Sequence, residues 1–329
     1  MLFSFSMFWQ IKYKNKLTAL IYRSLHMTYS LIIHGGAGGG TKQLFKKLAE
    51  HNPLLFHDLE NRFHYCLKEC VSLGEKMLQN NCSASDVVLK CIEYMENCEL
   101  FNAGKGAVLD RKNKVSLDAS MMEGKNGGWG GVMNTNVLKN PSSLCYKLMN
   151  SRSGLITGNE NILELAKQYN LEIIKDPNYF ITKFRTEMAL HSKDNGTVGV
   201  VCRDNEGLIV AGTSTGGRQN KQSGRVGDSP IIGIGSYANN LCCGLSLTGH
   251  GEDIISHHGA IQIYYRMKFN NQDMKTAIDE TINTITKGCG IIGINKDGSI
   301  YYNFNTKRMY VGFVTSGQEI KTSIWDKKC

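Results

Sequence analysis

The sequence predicts an α/β chain in which two packed sheets are covered by helices on both outer faces. Three observations predict it. Short apolar or alternating runs stand near the start and fill the later part of the chain, segments of helical periodicity lie between and after them, and turn signals at Asn205-Glu-Gly207 and Asp297-Gly298 join neighbouring antiparallel strands. Strands at both ends with helical pairs between them bury all their apolar faces when the sheets stack and the helices flank them.

Tyr29 to His34 is an apolar run ending in Gly35-Gly-Ala-Gly-Gly-Gly40, which reads as a strand feeding a tight loop. Residues 57–80 carry apolar side chains at helical spacing, and Ser83-Ala-Ser-Asp86 is a capping-box start for a helix to about Met95. Pro141 with Ser142 and Ser143 opens another helix, and residues 158–169 form a further one. Residues 170–196 are weakly patterned and polar toward their end, which reads as an exposed tail. Beyond Thr197 the short strand runs begin, and helices return over 252–268 and, capped by Asp273, to about 287.

At 329 residues and 41% hydrophobic content, the chain is long enough to bury roughly 75% of its unfolded surface. With 35 glycines and only 4 prolines, glycine is expected at specific backbone positions rather than in linkers. The formal charge is +9, but Lys12, Lys14, Lys16 and Arg23 lie in an acid-free N-terminal stretch, leaving +5 for the rest. The remaining charges of both signs are interspersed and no nucleic-acid-binding motif accompanies them, so a nucleic-acid partner is not expected. Residues 1–26 place their apolar run before the basic residues and interrupt it too often for a membrane span. They read as an extension, either dispensable or a mitochondrial presequence, ahead of a single domain over 27–329. The 11 cysteines are scattered without zinc or disulfide spacing, which fits a reducing, cytoplasmic compartment.

The chemistry concentrates at Gly196-Thr197. Hydrolysis of that bond would make Thr197 a chain terminus bearing a hydroxyl and a free α-amine, nucleophile and base on one residue. Thr213-Ser-Thr215 on the return strand adds hydroxyls beside it, although threonines are common in any hairpin. Arg225 and Asp228, three apart in a glycine-bearing loop, match a zwitterionic amino acid: a guanidinium fork for the α-carboxylate and a carboxylate for the α-ammonium. Thr248-Gly-His-Gly251 offers backbone N–H groups that approach a reacting carbon closely. His250, Glu252, Asp253, His257 and His258 contain no helical His-Glu-x-x-His spacing and adjacent histidines diverge on a helix, while Gly35 to Lys42 inverts the P-loop order, so neither metal catalysis nor phosphate binding is expected.

Seven ordered blocks, His34-Gly-Gly-Ala-Gly38, Phe101-Asn-Ala-Gly104, Leu117-Asp-Ala-Ser120, Gly196-Thr-Val-Gly199, Thr213-Ser-Thr-Gly-Gly217, Arg225-Val-Gly-Asp-Ser-Pro230 and Thr248-Gly-His-Gly-Glu252, resemble the plant-type L-asparaginases and isoaspartyl peptidases, N-terminal-nucleophile (Ntn) hydrolases. The resemblance covers about Ser30 to Phe313. It implies a four-layer αββα sandwich of the Ntn-hydrolase type that cuts itself at Gly196-Thr197 and then releases L-aspartate from asparagine and β-aspartyl dipeptides. It also implies that Thr215 positions and activates Thr197, with Thr213 in the same network, and that Asn102 stabilises the cleavage site. Thr248 and Gly249 would form the oxyanion hole, while Arg225, Val226, Gly227, Asp228, His250 and Gly251 complete the substrate site. The His34 loop would lie beside the nucleophile. No cofactor is implied for the chemistry. A structural sodium held by main-chain oxygens of Met95, Glu96, Cys98, Phe101, Ala103 and Lys105 is implied, as is a homodimer of cleaved αβ units.

Lys125-Asn-Gly-Gly-Trp-Gly-Gly131 departs from the small-residue run usual in that family, and Trp129 is expected near the pocket, narrowing it. Two competing readings remain: a glycosylasparaginase-like amidase, which typically carries Asp-Thr and Gly-Asn-Gly where this chain has Gly196-Thr197 and Gly249-His250-Gly251, and an inactive homologue serving as a binding protein. A taspase-like endoprotease would have no use for Asp228.

Overall fold

Twelve strands among the described residues divide between two sheets. The computed structural model describes residues 28–149, 151, 154–191 and 196–326; the expected extension 1–26 and the polar end of the expected tail, 192–195, lie outside them. In chain order the elements are β1 (Ser30–Gly38), α1 (Lys42–His51), α2 (Pro53–Phe56), α3 (Leu59–Gln79), α4 (Ala84–Glu96), β2 (Leu117–Glu123), β3 (Trp129–Thr135), α5 (Pro141–Leu148), β4 (Leu155–Thr157), α6 (Asn159–Gln168) and α7 (Lys183–His191). There follow β5 (Val198–Arg203), β6 (Ile209–Thr215), β7 (Ser236–Asn239), β8 (Cys243–Gly249), α8 (Gly251–Ser256), α9 (Gly259–Phe269), α10 (Met274–Thr284), β9 (Cys289–Asn295), β10 (Ile300–Phe304), β11 (Arg308–Thr315) and β12 (Lys321–Ser323). The larger sheet has the order β12-β11-β1-β5-β6-β2-β3-β4 and the smaller β10-β9-β8-β7.

Side-chain alternation assembles the layers. Leu31 and Ile33 of β1, with Val200 and Cys202 of β5, pack under α3 and α4 among Phe63, Leu67, Val87 and Cys91. Their neighbours Ile32 and Val201 point the other way, against Ile292 and Ile294 of β9 between the sheets. On the far side of the smaller sheet, Leu245, Leu247 and Ile291 meet Ile254, Ala260, Ile263 and Ile278 of α8, α9 and α10. Three apolar layers thus separate four layers of structure, the αββα sandwich expected. Because strand side chains alternate with period two, a one-residue slip of β5 would exchange its two buried faces.

Polar links also cross the central layer, and the one at His34 is wholly buried. His34 of β1, wholly buried, bonds through Nε2 to Ser246 Oγ of β8 at 2.8 Å. Burial drives the His34 pKa down to about 3, opposed only by a hydrogen bond with the Thr197 backbone, so the ring is neutral. Gly199, paired with His34 across β1 and β5, makes the room: a Cβ there would run into both Ser246 Oγ and His34 Nε2.

The predicted caps hold, with Ser83 accepting from Asp86 N at 3.2 Å and Asp273 from Thr276 N at 2.9 Å. Three expectations change. β1 does not stop at His34 but runs to Gly38: Gly35 and Gly36 fall in a register shift, after which Ala37 and Gly38 resume pairing with Met309 and Arg308 of β11. The helix expected over 252–268 is two, α8 and α9, broken where His258 takes a left-handed φ of 53°. The break lets Gly259 pack against Ile234 O, which takes the Ala260 N–H at 3.0 Å. Most of the tail expected over 170–196 is not exposed: Ile173 bridges to Leu138, and Phe180, Phe184 and Met188 are buried, the last two from α7. Charged neighbours hid that short apolar stripe. No helix among the described residues is long and apolar enough to cross a membrane.

Gly199→Ala should break the His34–Ser246 link between the sheets. An overpacked Cβ plus a buried polar pair left unsatisfied predicts a loss of about 2–4 kcal/mol, read as a lower urea midpoint with an unchanged slope.

Candidate active site

The β5–β6 pairing sets Val198 opposite Ser214, which brings Thr197, just ahead of β5, against Thr215 at the end of β6. Thr197 Oγ1 donates to Thr215 Oγ1 at 3.3 Å, and Thr215 Oγ1 donates to the Gly196 carbonyl at 3.2 Å. Gly217 N donates to the same Thr215 oxygen at 2.9 Å. A hydroxyl has one donor and two acceptor positions, so Thr215 is saturated and the direction of the chain is fixed, from nucleophile through Thr215 to the carbonyl beside it. Asn102 Nδ2 supplies a second donor to Gly196 O at 2.6 Å while also bonding Gly217 O at 2.7 Å. Its Oδ1 takes Val108 N at 2.9 Å, which sets the amide's orientation.

This arrangement can cut the chain. Attack of Thr197 Oγ on the Gly196 carbonyl carbon puts negative charge on an oxygen already facing two donors, the geometry that stabilises an oxyanion. The steric demand at the bond falls on Gly36 rather than Gly196. Gly36 has φ 109°, and a Cβ on it would stand 2.7 Å from Gly196 Cα and 3.1 Å from Thr197 N. Among the described residues, a Cβ on Gly196 would meet nothing closer than Gly35 O at 3.4 Å, ordinary contact. The glycine loop after His34 therefore lies beside the nucleophile, as expected.

Ser229 is a site residue the sequence did not single out. Its hydroxyl lies 3.4 Å from Thr197 Oγ1, and its carbonyl is gripped by Thr213 Oγ1 and Ser120 Oγ, each at 2.6 Å. Thr213 thus supports the nucleophile through Ser229. The only sequence signal was Ser229's place beside Asp228.

A cleft opens from Thr197, lined by Thr215, Gly217, Arg218, Arg225, Gly227, Asp228, Ser229, Gly249, His250 and Gly251. Asp228 is buried, and its Oδ2 has no hydrogen-bond partner. Burial raises its pKa to about 7, partly offset by its own backbone amide and by Arg225. A Cβ on Gly251 would come within 2.8 Å of Asp228 Oδ1 and 2.9 Å of Arg225 Nη2, so glycine there keeps the space between the two charges open. Arg225 is not idle: Nε and Nη2 bond Glu252 Oε1 and Oε2, each at 3.0 Å. Burial pulls the Glu252 pKa upward, but the Arg225 bonds win and hold it at about 2. An incoming carboxylate must take the other edge of the guanidinium or displace Glu252. Behind them Lys221 and Asp118 are also buried; burial lowers the one and raises the other, and each opposes the other's shift.

The remaining expected residues are distributed as follows. Thr248 is wholly buried, its hydroxyl taking Ala37 N at 3.3 Å, and the cleft begins at Gly249, whose φ of 143° sets it against Gly288 O. Val226 is half-buried and does not line the cleft. Trp129, the first residue of β3, does not line the cleft; its ring lies against Gly154, just ahead of β4. Glu96, wholly buried, accepts from Ser214 Oγ at 2.7 Å and Ser142 Oγ at 2.8 Å, and burial raises its pKa to about 7 against those bonds. Around Gly104 and Gly106 the carbonyls of Glu96, Glu99 and Phe101 crowd where a Cβ would go.

Residues 27–194 and 185–324 match a family model described as Asparaginase. The chain is 30% identical to a probable isoaspartyl peptidase/L-asparaginase of Arabidopsis thaliana, over 91% of this chain and 99% of that protein. It is 32% identical to the isoaspartyl peptidases of Salmonella typhimurium and Escherichia coli, over 90% and 91% of this chain and 98% and 96% of theirs.

The hydrogen-bond chain makes separable predictions. Asn102→Ala removes one donor from the carbonyl and should slow fragment formation about 100- to 1,000-fold. Thr215→Val removes the relay and the other donor and should slow it at least as much, both followed on denaturing gels after synthesis.

Proposed function

The chain belongs to the asparaginase family, and from that premise we propose that Thr197, freed by cleavage after Gly196, hydrolyses the side-chain amide of L-asparagine and the β-linkage of isoaspartyl dipeptides to release L-aspartate. The observation that carries this reading is the buried, unpartnered Asp228 oxygen in the same cleft as Arg225 and the Thr197–Thr215 hydroxyl pair. An anion that has lost its water and gained no partner calls for a cationic ligand, and an α-ammonium beside an α-carboxylate satisfies Asp228 and Arg225 together.

Each step balances. Thr197 Oγ bonds the Gly196 carbonyl carbon, the peptide C–N bond breaks, and the departing nitrogen gains the proton that the hydroxyl loses to become the Thr197 α-amine. Water then hydrolyses the ester, leaving Gly196 as a carboxylate and regenerating the hydroxyl. In turnover the α-amine takes the hydroxyl proton, Oγ attacks the substrate's side-chain carbonyl, and ammonia or the peptide amine leaves with a proton. Water hydrolyses the resulting β-aspartyl ester to aspartate.

The finer features are proposals on the same footing. A homodimer of cleaved αβ units follows the family resemblance. A cytoplasmic setting is supported by ten free cysteines among the described residues. A structural sodium at the 95–105 loop is supported by the crowding of the Glu96 and Phe101 carbonyls on Gly104 and Gly106. The Cys98 and Ala103 carbonyls there each accept a backbone N–H and retain a second lone pair for an ion. The hydroxyl chain and the clamp favour an active enzyme over an inactive binding protein.

Thr197→Ala should remain one chain and show no asparaginase activity, while the wild type separates into residues 1–196 and 197–329. Intact-mass spectrometry with an aspartate-release assay checks both, and an uncut wild type that still turns over asparagine would sink the free-amine mechanism.

Asp228 adds a pH dependence. Binding an ammonium needs its charged form, so kcat/KM should climb as pH rises through about 7. Asp228→Asn should lose that limb and raise KM roughly 10- to 100-fold. The stability sign is opposite: a carboxylate raised above its unfolded pKa binds more protons when folded, so stability falls as pH climbs from about 4 to about 7. Asp228→Asn should therefore be the more stable protein at pH 8 in urea melts.

A further inference from the structure

A second set of ligand-type side chains gathers away from the cleft. His51 ends α1, and Glu187 and His191 stand one turn apart on α7. One nitrogen of each imidazole and one Glu187 oxygen all lie within 4.8 Å of one another. The two rings meet edge-on, centroids 4.7 Å apart at 64°. All three are partly or fully exposed, and none of the three side chains is hydrogen-bonded or ion-paired to another described residue.

We propose that His51, Glu187 and His191 form a binding site for a zinc-class divalent ion that clips α7 to α1. The donor set decides the class: two imidazoles and one carboxylate suit a borderline ion and exclude the oxygen-seeking calcium and magnesium. A tetrahedral ion about 2.1 Å from each ligand holds ligand atoms about 3.4 Å apart. Rotation about side-chain bonds on two helix ends closes the difference, and water takes the fourth position. The position gives the site its consequence. α7 is the last described element before the Gly196–Thr197 bond, five residues beyond His191, and Ala189 O takes Gln219 Nε2 at 3.1 Å beside Arg218 of the cleft. A bound ion fixes the helix leading into the cut and, once the bond is broken, keeps the end of the first segment docked. The ion site does not depend on the catalytic reading.

The test uses tag-free, metal-stripped full-length protein and the His51→Ala, His191→Ala and Glu187→Gln variants, whose metal-free melts should match the wild type because the side chains are at the surface. Zinc titration by calorimetry should give one ion per chain, with affinity falling roughly tenfold or more in each variant. Cobalt substitution should give visible d–d bands without a thiolate charge-transfer band, since the cysteines are not ligands. Zinc should slow tryptic cutting at Lys183 and Arg185 in the wild type alone. Failure to bind, affinity unchanged in the histidine variants, or a thiolate band would each overturn the proposal.

Discussion

The register of the β5–β6 hairpin is the constraint on which the site depends. Paired as they are, Ser214 points toward the helices, where it bonds Glu96, while Thr213 and Thr215 point toward the cleft. A shift of one residue would put Ser214 beside the nucleophile and bury the two threonines against the helices. Apolar alternation in the same strands resists that shift, because Val200 and Val201 are committed to different layers. Core packing and catalytic alignment are thus one requirement.

Around that register the protein holds polar groups with little slack. Thr215 uses every hydrogen-bonding position it has, and the Asn102 side chain is fixed through both its nitrogen and its oxygen. Such saturation removes alternative orientations, so the Gly196 carbonyl meets its donors without reorganisation. Asp228 Oδ2 and His250 Nδ1 are exceptions in the cleft, buried without a hydrogen-bond partner. The free oxygen and raised pKa of Asp228 are a cost that the proposed cationic ligand would offset, while Arg225 is paired with Glu252.

Much of this was legible in the sequence. The Ser83 capping box and the Asp273 cap, the helical stripes of α3 and α4, the two hairpin turns and the ordered blocks from His34 to Glu252 all reported local chemistry, and local chemistry is what a chain displays. Partners chosen by folding were not legible. Ser229, Ser120 and Glu252 act at the site through neighbours distant in sequence or around a turn, and α7 was hidden because its buried Phe184 and Met188 sit among charges. Trp129 misled because closeness to a motif along the chain did not mean closeness in space.

By itself the sequence determined that Thr197 follows a glycine, that hydroxyls return on the next strand, and that a guanidinium and a carboxylate share a glycine-bearing loop. Those statements need only residue type and spacing. Tertiary structure alone decided that the close approach to the bond falls on Gly36, that Thr215 donates to the carbonyl, and that one Asp228 oxygen lacks a partner while Arg225 has one. Each of these depends on which groups lose their water together, and that is settled only when the two sheets and their helices close on one another.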